Sequence, residues 1–131
     1  MLSTFKQTIS AAEIKAVQNG SKIDVTIDNL FFTSYIFSAK EKFPFFYPVN
    51  GPVTGGSVTS LRNGEYPHHS SLYFGCDLVN GGNYWYDNLE RGQILSKGAK
   101  IVEQGNRVVI TDECIWQRQG AESPLKKYRN N

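Results

Sequence analysis

The segment Tyr66-Pro67-His68-His69 holds the residues of this sequence best suited to chemistry. Histidine exchanges protons near neutral pH, which makes His68 and His69 candidate catalytic residues acting as a general acid. Pro67 restricts its own φ and the backbone of Tyr66, so the segment is expected to be presented rigidly. Neighbouring residues of an extended chain point to opposite faces, so the pair cannot bind one metal ion without a kink. The alternative interpretation is one buried, hydrogen-bonded histidine and one exposed one.

A metal site would need further ligands at suitable spacing. Neither HxH nor HxxxH occurs, and Cys76 and Cys114 are separated by 38 positions with no CxxC motif. Phosphate loops and nucleophile motifs are also absent from the sequence. The sequence therefore predicts no metal site and no cofactor, and two reduced cysteines unless the compartment is oxidising.

A second set of residues is suited to binding carbohydrate. The chain contains eight Phe, seven Tyr and two Trp, and planar rings stack on the apolar faces of sugars while Asn and Asp bind hydroxyl groups. The candidate ligand-binding residues are Tyr47, Asp77, Asn80 and Trp85, with Asn83 and Asp87 as further polar candidates. The alternative for each aromatic residue is a place in the core.

The bulk composition is that of one ordinary globular domain covering residues 1–131. A net charge of +2 is too small to indicate nucleic acid, and the cationic segment Lys126–Arg129 is interpreted as a solvated tail. No apolar run approaches the length of a membrane span, and residues 1–8 lack the apolar core of a secretory signal. A soluble, cytoplasmic protein without membrane or nucleic-acid partners is expected.

Alternation of apolar and polar residues predicts mostly strands. Asn19-Gly20 is expected to turn a hairpin between residues 13–17 and 21–28, although Ser10–Glu13 also fits a helix-capping box. Further strands are predicted at residues 30–38, 57–61, 71–76, 93–103 and 107–116, the last two joined by a loop at 104–106. Pro44 and Pro48 predict an edge or irregular stretch at residues 43–50. Seven or eight hairpin-linked strands indicate an all-β fold, an antiparallel β-sandwich.

Three blocks resemble the PmoA-like family, a bacterial β-domain family of largely unknown function that carries the name methane oxygenase PmoA. The first block is FPFFYPVNGP (43–52), followed by Val58-Thr59. The second block is YPHHSSLYFG (66–75), and the third is DLVNG (77–81), followed by Tyr84-Trp85. Their order and spacing match the family's Arg-Pro-Tyr-Phe-Tyr-Pro, His-Pro-His-His-Arg-Gly-Leu-Trp-Phe and Asp-Val-Asn-Gly motifs. The resemblance covers about residues 26–116.

The resemblance implies half of a galactose-mutarotase-like supersandwich, a fold in which strand histidines protonate a sugar ring oxygen and a carboxylate acts as base. It also implies a chain about half the family's length, with that carboxylate beyond Asn131, and relatives that are often secreted or periplasmic. Charged or histidine positions of the family are replaced here by Phe43, Ser60, Tyr66, Ser70 and Cys76. These replacements favour binding over catalysis.

The sequence therefore predicts a carbohydrate-binding β-sandwich with a cleft lined by His68 and His69. One alternative is a sugar-active enzyme, mutarotase- or hydrolase-like, that uses either histidine as general acid. The other is a non-catalytic fragment that forms a homodimer through an exposed sheet edge.

Overall fold

The computed structural model describes residues 11–86 and 88–118, which form nine strands and one short 3-10 helix. The first five strands are β1 (Ile14–Asn19), β2 (Lys22–Ile27), β3 (Leu30–Ile36), β4 (Phe45–Val49) and β5 (Leu72–Tyr73). The helix, Leu89–Arg91, precedes β6 (Gln93–Ser96), β7 (Lys100–Glu103), β8 (Val109–Thr111) and β9 (Cys114–Gln117). Every strand pairing is antiparallel.

The predicted first hairpin is confirmed, with its turn displaced by one residue. Asn19 pairs with Lys22, so the two-residue loop is Gly20-Ser21 rather than Asn19-Gly20. Gly20 has a φ of 60° and Ser21 has no positive φ, as a type II′ turn requires at its first central position. Ile23 and Val25 are buried and Asp24 is half-buried, which follows the predicted alternation.

The first five strands form one sheet in chain order, so β4 is an interior strand between β3 and β5. The prolines predicted either an edge or an irregular stretch here, and the second alternative is confirmed. The pairing register between β3 and β4 shifts: Tyr35 faces Phe46 and Thr33 faces Val49. Pro48 lies in that shift, where the ladder does not require its missing N–H.

The predicted C-terminal hairpin is confirmed but divided into two ladders. β6 pairs with β9 and β7 pairs with β8, and residues 97–99 and 112–113 interrupt the pairing between them. The loop at its tip spans residues 104–108, longer than the predicted 104–106. The tip contacts the first sheet, because Ile14 forms a bridge with Gly105 and the Ala16 N–H donates to Gln104 Oε1 at 2.9 Å.

The C-terminal hairpin packs on one face of the five-stranded sheet and makes a two-layer, all-β antiparallel fold of the sandwich type. One core cluster joins Ala16, Ile23 and Val25 of the sheet to Ala99 of the hairpin. A second cluster joins Phe43, Phe45, Tyr84 and Ile94. Burial of these apolar side chains is the main favourable free energy that holds the layers together.

Residues 50–86 and 88 belong to the stretch that connects the two layers, and β5 is their one regular strand. The predicted strand at 57–61 is absent, since Ser57 and Leu61 form only isolated bridges with Asn50 and Ser70. The predicted strand at 71–76 shortens to Leu72–Tyr73, which forms one edge of the sheet. Polar and aromatic side chains of this connecting segment build the cavities described next.

Candidate functional site

The segment that contains the two histidines is a tight turn at the end of a loop. The His69 N–H donates to the Tyr66 carbonyl at 3.0 Å, and the Tyr66 N–H donates to Asn63 Oδ1 at 2.8 Å. Pro67 occupies the second position of the turn, where its fixed φ is favoured. The rigid presentation expected from the proline therefore takes the form of a β-turn.

The two imidazole rings lie within a cluster of aromatic side chains. Tyr66 stacks on His69 with ring centroids 4.9 Å apart and an interplanar angle of 8°. His68 meets His69 edge-on at 4.5 Å and contacts Tyr86 at 5.0 Å. Both histidines are half-buried, and neither imidazole makes a hydrogen bond within residues 11–86 and 88–118. The alternative of one hydrogen-bonded and one exposed histidine is therefore not observed.

A cavity of about 600 Å³, here called the Trp85 cavity, lies on one side of this turn. Its lining includes Thr59, His69, Ser71, Tyr73, Phe74 and Trp85. The Trp85 side chain is 40% exposed, and its ring meets that of Tyr73 at 6.1 Å and 65°. The structure thus brings two predicted site residues, His69 and Trp85, to one cavity.

A second cavity of about 330 Å³, the Arg62 pocket, lies on the other side of the turn. Lys40, Glu41, Lys42, Arg62, His68 and Ser70 belong to its lining. Along residues 68–71 the side chains alternate: His68 and Ser70 line the Arg62 pocket, whereas His69 and Ser71 line the Trp85 cavity. This alternation agrees with the sequence argument that the histidine pair cannot converge on one point.

The third cavity, about 430 Å³, is lined by apolar side chains between the two layers and is called the Trp116 cavity. Tyr35 and Cys114 belong to its lining, and the Tyr35 hydroxyl donates to Asp112 Oδ2 at 2.8 Å. Burial, with a smaller contribution from Asp112, raises the pKa of Cys114 to about 11. Burial and the hydrogen bond to Asp112 also raise the pKa of Tyr35. The Cys114 thiol is therefore protonated at neutral pH and is a poor nucleophile.

Asn83 organises the backbone beside Trp85. It is buried, its Oδ1 accepts from the N–H groups of Trp85 and Tyr86 at 3.0 Å each, and its Nδ2 donates to Asp77 Oδ1 at 2.6 Å. Asp77 therefore acts on Trp85 through Asn83 rather than by lining the cavity. Asn83, considered above for sugar hydroxyls, has both its amide oxygen and its amide nitrogen engaged within the chain.

Two predicted ligand-binding residues lie away from these cavities. Asn80 has a φ of 50° in an exposed turn closed by the bridge between Val79 and Gly82. Tyr47 packs against the core cluster that contains Phe43 and Phe45. Neither lines any of the three cavities. Asp87 and the cationic segment 126–129 lie outside the described residues.

Sequence reasoning missed Arg62, because its position depends on long-range pairing rather than on a motif. The bridge between Leu61 and Ser70 and the 2.8 Å bond from the Arg62 N–H to the His69 carbonyl bring it beside the histidine turn. Lys42 is buried, and its Nζ donates to the carbonyls of Asn83 and Asn88 at 2.9 and 2.5 Å. No spacing in the sequence signals either placement.

Within the described residues, no three His, Cys, Asp or Glu side chains are arranged to hold a metal ion. Cys76 and Cys114 are both half-buried and unpaired. None of the described helical residues forms a helix long and apolar enough to cross a membrane.

The chain belongs to a family of unknown function, DUF6807, whose family model matches residues 22–130. No curated protein and no solved structure matches the chain. The family match includes all of β2–β9 and the three cavities, and its description names no activity.

Proposed function

We propose that this member of the DUF6807 family binds a carbohydrate in the Trp85 cavity. One observation carries the proposal: the rings of Trp85 and Tyr73 border the same cavity as the His69 imidazole and the hydroxyl groups of Thr59 and Ser71. Ligand pockets of this kind combine apolar walls with a few polar groups, and about 600 Å³ is within the usual range for small ligands.

The two aromatic rings meet at an angle of 65° and form a corner of the cavity. Tyr73 stacks on the buried Phe43 ring at 4.3 Å and 1°, and the backbone of Trp85 is held by Asn83. A ring held in place loses little conformational entropy when a ligand stacks on it. The C–H face of a pyranose would pack on the exposed part of Trp85, with Tyr73 at its side.

The polar groups of the cavity suit hydroxyl recognition. The Ser71 hydroxyl donates to Thr59 Oγ1 at 2.7 Å, and a hydroxyl can both donate and accept, as each sugar hydroxyl does. His69 adds a ring whose two nitrogens, donor and acceptor in the neutral form, are free of hydrogen bonds in the described part of the chain. The resemblance to the PmoA-like family supports the same ligand class, and we include that kinship in the proposal.

The test is a panel of neutral mono- and disaccharides monitored by tryptophan fluorescence. A Trp116→Phe variant leaves Trp85 as the reporter, because Trp116 lines a different cavity. At least one sugar is expected to shift the emission of Trp85 in a saturable way. His69→Ala is expected to weaken that binding by about tenfold, because it removes one or two hydrogen bonds to the sugar.

The control compares sugar binding, measured by calorimetry, in variants of two equally exposed aromatic residues. Trp85 and Phe31 are 40% and 42% exposed, but Phe31 lines none of the three cavities. Trp85→Ala should abolish binding and Phe31→Ala should leave it unchanged. Equal effects of the two substitutions, or a panel in which no sugar binds, would refute the proposal.

A second candidate function is acid catalysis on the bound sugar, and one observation favours it: the His69 imidazole lies in the cavity and makes no hydrogen bond to any described residue. His68, predicted equally as the general acid, lines the Arg62 pocket instead. NMR measurement of anomer interconversion should show acceleration over the spontaneous rate that is lost in His69→Gln and kept in His68→Gln. The spontaneous rate alone would eliminate mutarotation.

We also propose a homodimer through the edge strand β5. Leu72 and Phe74 at this edge are 56% and 71% exposed, and the outer side of an edge strand presents unpaired backbone N–H and C=O groups with which a second strand can pair. Size-exclusion chromatography with light scattering should give a dimer for the full chain and a monomer for Phe74→Lys. A monomeric unsubstituted protein would refute this interface. Because Leu72 and Phe74 also line the Trp85 cavity, sugar binding is measured without the Phe74→Lys substitution.

A further inference from the structure

We propose that the Arg62 pocket binds an oxyanion of the same ligand, a carboxylate or phosphate group, so that the ligand class is an acidic sugar. This inference rests on the proposed function, which concerns the neighbouring Trp85 cavity. The two cavities are separated by one turn of chain, and the rings of His68 and His69, one on each side, lie 4.5 Å apart. A ligand that occupies both cavities would pass along the edge of these two rings.

The charged side chains of the pocket favour an anion. Lys40, Lys42 and Arg62 line it together with one carboxylate, that of Glu41, and His68 adds ring nitrogens to the wall. Lys42 is already held by backbone carbonyls, so the argument does not depend on it. Lys40 is exposed and makes no ion pair with any residue of the described ranges.

Arg62 is the residue best placed to bind the oxyanion. One of its nitrogens pairs with Glu41 Oε2, and a guanidinium has five N–H donors, so others remain for a ligand. Its planar fork matches the geometry of carboxylate and phosphate groups. The side chain is 43% exposed, which leaves this fork accessible from solvent.

The guanidinium is held in place before any ligand arrives. Its Cζ lies 5.6 Å from the centroid of the Phe45 ring, within the range of a cation–π contact. The Arg62 N–H donates to the His69 carbonyl at 2.8 Å, which couples the position of the arginine to the histidine turn. Glu41 orients the fork as well, but its negative charge opposes a second anion.

This arrangement makes opposite predictions for the two partners of the ion pair. Arg62→Gln removes the cation and should weaken anion binding by about tenfold, the value of one charge-assisted hydrogen-bond pair. Glu41→Gln removes the competing carboxylate and should tighten it by a few fold. Arg107, which pairs with Glu103 elsewhere on the surface, is the matched control. Arg107→Gln should leave anion binding unchanged.

The experiment titrates inorganic phosphate and acetate into the full-length ¹⁵N-labelled protein and follows the amide resonances of Arg62 and His68. Saturable shifts that weaken in Arg62→Gln, strengthen in Glu41→Gln and persist in Arg107→Gln are expected. Unsaturable shifts in the unsubstituted protein, or an unchanged response in Arg62→Gln, would overturn the proposal. Tighter binding of phosphate than of acetate would identify a phosphorylated sugar, and the reverse a sugar acid.

Fluorescence of Trp85 separates this proposal from the one on which it rests. Glucuronic acid, glucose 6-phosphate and glucose are compared in the Trp116→Phe protein. If neutral sugars bind and the anions do not reach Arg62, the oxyanion site is wrong and the sugar site stands. If the anions bind at Arg62 and no sugar shifts Trp85, the oxyanion site stands and the sugar site is wrong.

Discussion

Tyr35 of the first sheet and Asp112 of the C-terminal hairpin join the two layers through a hydrogen bond of 2.8 Å between residues 77 positions apart. The other carboxylate oxygen of Asp112 accepts from Ser96 Oγ at 2.7 Å. The Asp112 carboxylate is thus bound from both layers, at the point where the hairpin changes from one ladder to the other. This contact fixes the position of the hairpin on β3.

Tyr35→Phe is expected to lower the free energy of unfolding by about 1–2 kcal/mol, because it leaves a half-buried carboxylate short of one donor. Urea denaturation measures the change. Tyr47→Phe is the control, since Tyr47 is half-buried and its hydroxyl has no hydrogen-bond partner among the described residues, and it should change stability by less than about 0.5 kcal/mol. Equal losses in the two variants would contradict the assigned role.

Cys114 is expected to react slowly with iodoacetamide in a Cys76→Ser background. Burial, together with the nearby Asp112 carboxylate, raises the pKa of its thiol from the ordinary 9.0 to about 11, so little thiolate exists at pH 8. The labelling rate should rise through about pH 11 in the folded protein and near pH 9 in urea. A folded-state profile that matches the unfolded one would refute this.

The same shift has a consequence for stability. The folded protein holds the Cys114 proton more tightly than the unfolded chain does, so this contribution is complete below pH 9 and is lost as the pH rises towards 11. Tyr35, whose pKa is also raised, acts in the same direction at higher pH. The free energy of unfolding should fall from pH 8.5 to 10.5, and less steeply in Cys114→Ser.

Asn83→Ala is expected to lower the free energy of unfolding by about 2–4 kcal/mol, because it leaves two backbone N–H groups and the Asp77 carboxylate without their hydrogen-bond partner. Asn83→Asp retains the acceptor for the two N–H groups but replaces the amide that donates to Asp77 with a second carboxylate, so it should also lower the free energy of unfolding. Urea denaturation measures both changes. Asn80→Asp, at the exposed turn, should leave the free energy of unfolding unchanged, and equal losses in Asn83→Asp and Asn80→Asp would contradict the role of Asn83.

Gly20→Ala is expected to lower the free energy of unfolding by about 1 kcal/mol, because the φ of 60° at this turn disfavours any residue with a Cβ. An added Cβ would meet nothing within 4 Å, so the cost is that of backbone strain alone. Gly64 has equally open surroundings without a positive φ. Gly64→Ala should therefore be neutral, and thermal denaturation compares the two.

Local patterns predicted the all-β fold because hairpins depend on neighbouring residues. Asn19 and Gly20 were sufficient to locate the first hairpin, with an error of one residue. The interior position of β4 could not be predicted, since it depends on a register shift that accommodates Pro48. Long-range pairing rather than composition decides where such a strand lies.

The candidate site also contains residues that the sequence could predict and residues that it could not. The sequence argument separated His68 from His69 on the assumption of an extended chain, whereas the structure forms a turn in which the two rings meet edge-on at 4.5 Å but line different cavities. Arg62 was not predictable, because it reaches the site through the bridge between Leu61 and Ser70. Asn80 and Tyr47 were selected by residue type, which does not determine the direction of a side chain.

The described residues that line the Trp85 cavity all lie between Val58 and Trp85, within the one stretch that joins β4 to the C-terminal layer. This recognition surface is attached to the first sheet through the two-residue edge strand β5 and to the core through Tyr84. Exchange of the stretch between relatives, by recombination in evolution or by grafting in the laboratory, would transfer ligand preference in a single event while β1–β4 and β6–β9 stay unchanged.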